Sequence, residues 1–275
     1  MLFLLLSLSF LSFSTMTIPL FKLFLLFSLF AISLSHEPQN VHAFPRPLIV
    51  EYSELDEDVK LRCNSWRFAG EANNLSPWKT VPKECAEQVK EYMTGKGYVY
   101  DLEIASKEAG EFARSVQLQD DGFDAWVFDI DETLLSNLPY YAAHGYGLEV
   151  FDHEKFDDWV EKGVAPALEP SLKLYEDVLN MGYKVILLTG RSEQHRDVTV
   201  DNLINAGFRD WHQLILRSSD DKGKLAVVYK SDKRNEMEKD GYRILGNSGD
   251  QWSDLLGSSV SVRSFKLPNP MYYIA

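Results

Sequence analysis

From Ala125 to the C-terminus, short apolar runs alternate with stretches of helical periodicity, and few folds accommodate that pattern. The runs are 125–130, 184–189, 213–216, 242–245 and 260–265. Between them, 171–181 has helical spacing and stops at Gly182. Ser192 is placed to cap a helix that stops at Gly207, and 223–240 supplies a third helix. Strand, helix and strand in succession predict βαβ units and a parallel sheet, hence an α/β domain. The chain has 275 residues, 45% of them hydrophobic, enough for one large domain but short for two independent catalytic ones.

Two segments stand outside that alternation. Residues 55–117 read as an N-terminal helical region, with Leu55, Val59 and Arg62 spaced for one face and Gly95 and Gly97 as punctuation. It belongs to a segment of 44–124 that precedes a core of 125–275. Residues 134–168 are too long for a strand-to-helix loop and carry Tyr140, Tyr141, Tyr146, Phe151, Phe156 and Trp159. This predicts a small cap inserted after the first core strand. Its aromatic residues serve either as ligand contacts or as the cap's own core.

The first 35 residues are almost wholly apolar, with Lys22 following a second methionine, Met16. Starting at Met16, the apolar run 23–34 has the length of a secretory signal, with small residues at Ser33, Ser35 and Ala43 for cleavage. The expected leader is therefore 1–43. A signal anchor beginning at Met1 is the alternative, against which Lys22 would lie in mid-span. Removing 1–43 takes away Lys22 and Glu37 and leaves the net charge at −13, from 28 basic and 41 acidic residues. That charge disfavours nucleic acid as a stable partner, while a local cation and one lysine can still receive a small phosphorylated molecule.

Secretion also frames the two cysteines, Cys63 and Cys85: in an oxidising compartment they imply one disulfide, with two buried free thiols as the alternative. The sequence Asn74-Leu75-Ser76 is a glycosylation sequon followed by Pro77. The C-terminal residues 270–275 carry no retention signal, leaving the vacuole and the extracellular space as destinations.

Four elements carry chemistry. Asp129 and Asp131 end the first apolar run, where a parallel sheet opens its crevice. One carboxylate can hold a hard cation and attack phosphorus, while the other gives or takes a proton, although the pair could also be an acidic turn. Thr189 and Gly190 follow the second run and suit a phosphate oxygen, with Arg191 either a further contact or an ion-pair residue. Lys230 lies on the helix before the fourth run and can neutralise crowded negative groups, with Lys224 and Lys233 as competitors. Finally, glycines 246 and 249 bend the chain after that run and present Asp250 and Asp254, oxygen ligands for magnesium or acids at a helix start. Each element falls at or near a strand's carboxyl end.

In that order the four elements resemble the haloacid dehalogenase superfamily, whose phosphatases carry Asp-x-Asp-x-Thr, a Thr or Ser, a Lys and a Gly-Asp-x-x-x-Asp pair. The segments around Cys63-Asn64-Ser65-Trp66-Arg67, Glu71-Ala72-Asn73-Asn74, Trp78, Val81-Pro82 and Cys85 are similar to plant acid phosphatases and vegetative storage proteins. The likeness spans about 48–275. It implies a Rossmann-like core with the first strand central, a small cap and commonly a homodimer. It implies Asp129 as nucleophile, Asp131 as acid then base, and Thr189, Gly190 and Lys230 on the phosphoryl group. Mg2+ would lie among Asp129, Asp250, Asp254 and the backbone carbonyl of Asp131. The expected reaction is acid hydrolysis of phosphate monoesters. Storage members of the family can lose the nucleophile, often to Ser. Asp129 departs from that inert pattern, although a storage role remains the alternative.

Overall fold

A computed structural model describes residues 55–75 and 77–274. The expected leader, Met16, Lys22 and Ser76 of the sequon lie outside the described residues. Among the described residues no helix is long and apolar enough to cross a membrane.

Five parallel strands form one sheet in the order β3-β2-β1-β4-β5, so the first strand is central. They are β1 (Asp124–Phe128), β2 (Lys184–Ser192), β3 (Gln213–Arg217), β4 (Arg243–Gly249) and β5 (Arg263–Lys266). The period-2 alternation of β1 separates two cores. Trp126 and Phe128 face one with Val185, Leu187 and Phe265, while Ala125 and Val127 face the other with Ile186, Leu188 and Ile244. Helices α3 (Lys96–Ser115), α6 (Glu169–Asn180) and α7 (Arg196–Asn205) contribute to the first core, and α8 (Ala226–Lys239) covers the second through Tyr229 and Met237.

A third core joins segments far apart in sequence. It contains Cys63 of α1 (Leu55–Glu71), Cys85, Val89 and Met93 of α2 (Ala86–Thr94), and Tyr140 and Tyr141 of α4 (Leu138–Ala143). Phe156 of α5 (His153–Val160) packs against it, and Leu267 and Met271 of the tail complete it. The insertion is closed at its base, where Ser136 N donates to Pro166 O at 2.8 Å and Leu168 N to Leu134 O at 2.8 Å. Its buried aromatics Tyr140 and Tyr141 thus pack in a core shared with the N-terminal helices and the tail, and not in one of the cap's own. Cys63 and Cys85 are joined as a disulfide. Asn74 is exposed in the turn after α1.

Several sequence expectations need correction. The run at 260–265 starts too early: Val260 and Val262 are 52% and 71% exposed, and the strand begins at Arg263. Arg62 also points away from the buried face of α1, pairing with Asp58 at 3.2 Å, while Cys63 is buried. Ser192 precedes a single 3-10 turn, 193–195, and makes no side-chain capping bond; α7 starts at Arg196. The third helix starts at Ala226, because Gly223 has φ +81° and Lys222–Leu225 precede its first turn.

The most informative correction concerns β4, which continues to Gly249 instead of bending after Leu245. Glycines 246 and 249 are strand residues. At Gly246 a Cβ would lie 2.3 Å from the Trp126 ring, so the largest side chain of β1 requires a neighbour without one. Leu245 is the extra residue of a bulge here, since Ala125 pairs with Ile244 and Trp126 with Gly246.

The disulfide closes a loop of 22 residues within the third core. Chain entropy for a loop of that size predicts a loss of about 3 kcal/mol when both cysteines become Ser. Denaturant unfolding of the doubly substituted protein should show this loss, and a midpoint equal to that of wild type would refute it.

Candidate active site

Strand register brings the acids together. Phe128 pairs with Leu187 on one side and Ser248 on the other. The residues that follow, Asp129, Thr189 and Asp250, therefore leave the same edge of the sheet. Asp129 N still donates to Ser248 O at 3.0 Å, holding the first acid in line with its strand. Thr133 fastens the acidic loop to the neighbouring one: its hydroxyl accepts from Asp250 N at 3.1 Å.

Lys230 reaches this edge from α8 and donates to both Asp129 Oδ1 and Asp254 Oδ1. All three side chains are buried. Burial lowers the lysine's affinity for its proton, but Asp129 and Asp254 outweigh that and raise its pKa. Lys224 and Lys233, the sequence competitors, pair elsewhere, with Asp221 and Glu236. Asp254 is located by α9 (Trp252–Leu255): its Oδ2 accepts from Gln251 N at 2.9 Å in a capping box. Gly249 permits this approach, since a Cβ there would lie 2.4 Å from that of Asp254.

Asp129, Asp250 and Asp254 each offer a carboxylate oxygen within 4.8 Å of the others. Burial pushes Asp129 well above the carboxylate range; Lys230 opposes this, and Asp254, Asp250 and Asp131 reinforce it. Burial, followed by Asp254 and Glu132, pushes Asp250 up to about 8. Ionising all three carboxyls against one ammonium needs further positive charge, and the converging donors are all oxygen. That set fits a hard divalent cation.

Asp131 occupies a different environment. Arg191 grips it through Nη2 to Oδ1 at 2.7 Å and Nε to Oδ1 and Oδ2 at 3.1 and 3.2 Å. Burial alone would raise its pKa, but Arg191 outweighs it and holds the carboxyl below its ordinary range. The ion-pair alternative for Arg191 is thus the observed one. Thr189 is buried, with its hydroxyl 3.5 Å from Asp131 Oδ2, and accepts from Arg191 N at 3.1 Å. Gly190 beside it is exposed, and a Cβ there would meet nothing within 4 Å. The protein's own packing does not demand this glycine.

With this geometry, the match of residues 50–275 to the family model of the HAD superfamily, subfamily IIIB (acid phosphatase), is decisive. The chain belongs to that family. Among relatives of this subfamily IIIB chain, acid phosphatase 1 of Solanum lycopersicum is 66% identical over 88% of the chain and 95% of its own length. Vegetative storage protein 1 of Arabidopsis thaliana is 42% identical over 77% and 78%. In structure, a class C acid phosphatase from Bacillus anthracis superposes with a TM-score of 0.55 at 23% identity, covering 68% of this chain and 84% of that one, a likeness of fold.

The fold brings Asp129, Asp131, Thr189, Lys230, Asp250 and Asp254 to the carboxyl end of the sheet. Other residues, not marked out by the sequence, hold them there in this acid phosphatase. Glu132 is fully buried at φ +54°, accepting from Asn137 N at 2.5 Å and the Tyr272 hydroxyl at 2.7 Å. Burial and the adjacent Asp131 push it up to about 8. Asn137 in turn donates to Asp131 Oδ1 at 2.9 Å and accepts from Trp159 Nε1 at 2.8 Å, tying the insertion to the acid. Asn137, Asn269 and Tyr272 bear no motif spacing, whereas Glu132 sits inside the acidic motif and could have been queried as a third carboxyl.

The close approach at Gly249 has a direct test. Gly249→Ala must displace Asp254, costing about 1–3 kcal/mol of stability by overpacking. A shift near 1 Å in the site should lower kcat about 10²-fold. Turnover of folded Gly249→Ala at the wild-type level would contradict the packing argument.

Proposed function

We propose that this acid phosphatase hydrolyses small-molecule phosphate monoesters in two steps through a phosphorylated Asp129. The observation that carries the reading is the convergence of Asp129, Lys230, Asp250 and Asp254 beside an acid, Asp131, in a contrasting environment. In the first step an oxygen of Asp129 attacks phosphorus and the bond to the ester oxygen breaks. Asp131 gives its proton to that departing alcohol. In the second step water attacks phosphorus and yields its proton to Asp131. The phosphorus–Asp129 bond breaks, inorganic phosphate leaves and both carboxyls return to their initial states. Lys230 balances the charge of Asp129, and the Thr189 hydroxyl and the open face at Gly190 accommodate phosphoryl oxygens.

The buried carboxylates Asp129, Asp250 and Asp254 are suited to hold Mg2+, with the Asp131 carbonyl as a further ligand implied by the family. When bound there, the ion supplies offset for negative charge on the phosphoryl oxygens. Storage, suggested by the name of the 42% relative, gives no account of a lysine buried between two acids. The predicted leader, the disulfide and the exposed Asn74 support passage through the secretory pathway to the vacuole or cell exterior.

Replacing Asp129 by Asn should lower kcat on an aryl phosphate by about 10³-fold or more. Chelation of divalent metal should abolish wild-type turnover, restored by Mg2+. Retained activity in either case would overturn this mechanism.

The acidity of Asp131 has its own test. Its pKa is depressed, so the proton needed in the first step is held only at pH values under the ordinary carboxylate range and is lost as pH rises. For an alkyl phosphate, whose leaving group needs that proton, kcat/KM should fall with rising pH by about tenfold per unit. Removing the guanidinium in Arg191→Met raises the pKa of Asp131, so this falling limb should move to higher pH. A limb that stays in place or moves to lower pH would exclude Asp131 as the acid.

A further inference from the structure

The proposed mechanism gives no role to the tail after β5, yet this segment is fastened directly to the acids. Leu267 N donates to Gly249 O at 2.9 Å, Ile274 N to Gln251 Oε1 at 2.9 Å and the Tyr272 hydroxyl to Glu132 Oε2 at 2.7 Å. Asn269 makes the most consequential contact. Its Nδ2 donates to Asp250 Oδ2 at 2.7 Å, and Gln251 Nε2 donates to the same oxygen at 2.7 Å.

A carboxylate oxygen has two lone pairs, and these two amides occupy both on Oδ2. Among the described residues Oδ1 receives the Thr133 hydroxyl at 3.4 Å, beyond the ordinary range for such a bond. The two oxygens of Asp250 are therefore unequal, with coordinating capacity concentrated on Oδ1.

Asn269 is itself held rigidly. It is buried, its backbone N donates to Glu71 Oε1 at 2.8 Å, and its side-chain oxygen accepts from Met271 N at 3.0 Å. The other oxygen of Glu71 takes Lys266 Nζ at 2.7 Å. A chain of direct bonds thus runs from the end of α1 through Glu71 and Asn269 to Asp250. The cleft between α1 and the tail, lined by Trp66, Trp78, Trp252 and Tyr273, has an interior of about 10 Å³. That is room for roughly one water, so the residues of this cleft pack closely against Asp250.

We propose that Asn269 is a positioning residue for the metal site: it orients Asp250 so that Oδ1 is the oxygen offered to the cation. The inference rests on the assignment of Asp250 as a metal ligand in the proposed function. Outer partners of metal-binding carboxylates fix ligand orientation, and their loss typically costs about 10–100-fold in metal affinity.

The test is calorimetric titration of Mg2+ into the folded wild-type protein and Asn269→Ala, with phosphatase rates measured across the same Mg2+ range. Asn269→Leu, which keeps the branching and heavy-atom count of Asn but lacks the amide, serves if the Ala variant does not fold. The expected result is a Mg2+ dissociation constant raised about 10–100-fold. Substrate KM at saturating Mg2+ should change little, and kcat should recover as Mg2+ is raised. A folded variant that melts earlier but binds Mg2+ as wild type does would show a merely structural role and overturn the proposal. Failure of the wild-type protein to bind Mg2+ would instead overturn the metal reading of the site, and this inference with it.

Discussion

Lys230, buried between Asp129 and Asp254, is the interaction on which the rest of the site depends. Burying a carboxylate without a partner costs several kcal/mol, and here three converge in one place. One ammonium relieves part of that repulsion and leaves the remainder to attract a cation. The arrangement needs short distances, which explains the features around it: polar residues at the end of β4, a glycine where Asp254 comes close, and a helix positioned to deliver the lysine. The site is assembled from groups unfavourable singly and tolerable together.

Asp129 and Asp131 lie two residues apart, yet their surroundings push their acidities in opposite directions. Burial, reinforced by the neighbouring acids, pushes Asp129 up against the pull of Lys230, whereas Arg191 outweighs burial at Asp131 and holds it down. One short loop thereby supplies two unlike carboxyls. That contrast runs opposite to the proposed roles, and a cation held by Asp129, Asp250 and Asp254 would return Asp129 to its carboxylate form. A guanidinium is well suited to hold Asp131 down, because it binds a carboxylate at several points while keeping its own charge.

The alternation of runs made the strands and their order along the chain legible, because the central strands β1 and β2 bury both faces and read as apolar stretches. The order across the sheet was not legible from the residues, and the resemblance implied only that the first strand is central. Strand ends were misread where residue chemistry conflicted with environment. Asn247, Ser248 and Gly249 look like a loop, yet are buried strand residues because the site lies at that end. Val260 and Val262 look like a strand and are exposed. The reacting residues were legible because their chemistry requires particular side chains at strand ends. Asn137, Asn269 and Tyr272 were not, because an amide or phenol outside the motifs acquires its role through folding alone.

Those illegible residues explain why the chain is larger than its sheet. The parallel sheet brings the acids to a common edge, but strands cannot hold both sides of every carboxylate. Asn137 and Trp159 of the insertion hold Asp131, and Tyr272 of the tail holds Glu132. Glu71 of α1 reaches Asp250 through Asn269. The same segments meet in the third core, where the disulfide joins α1 to the start of α2. That core is thus a brace for the acidic edge of the sheet, and it links the N-terminal helices, the insertion and the tail in one mechanical unit. The first helix and the tail are thereby constrained by a site formed on the sheet between them.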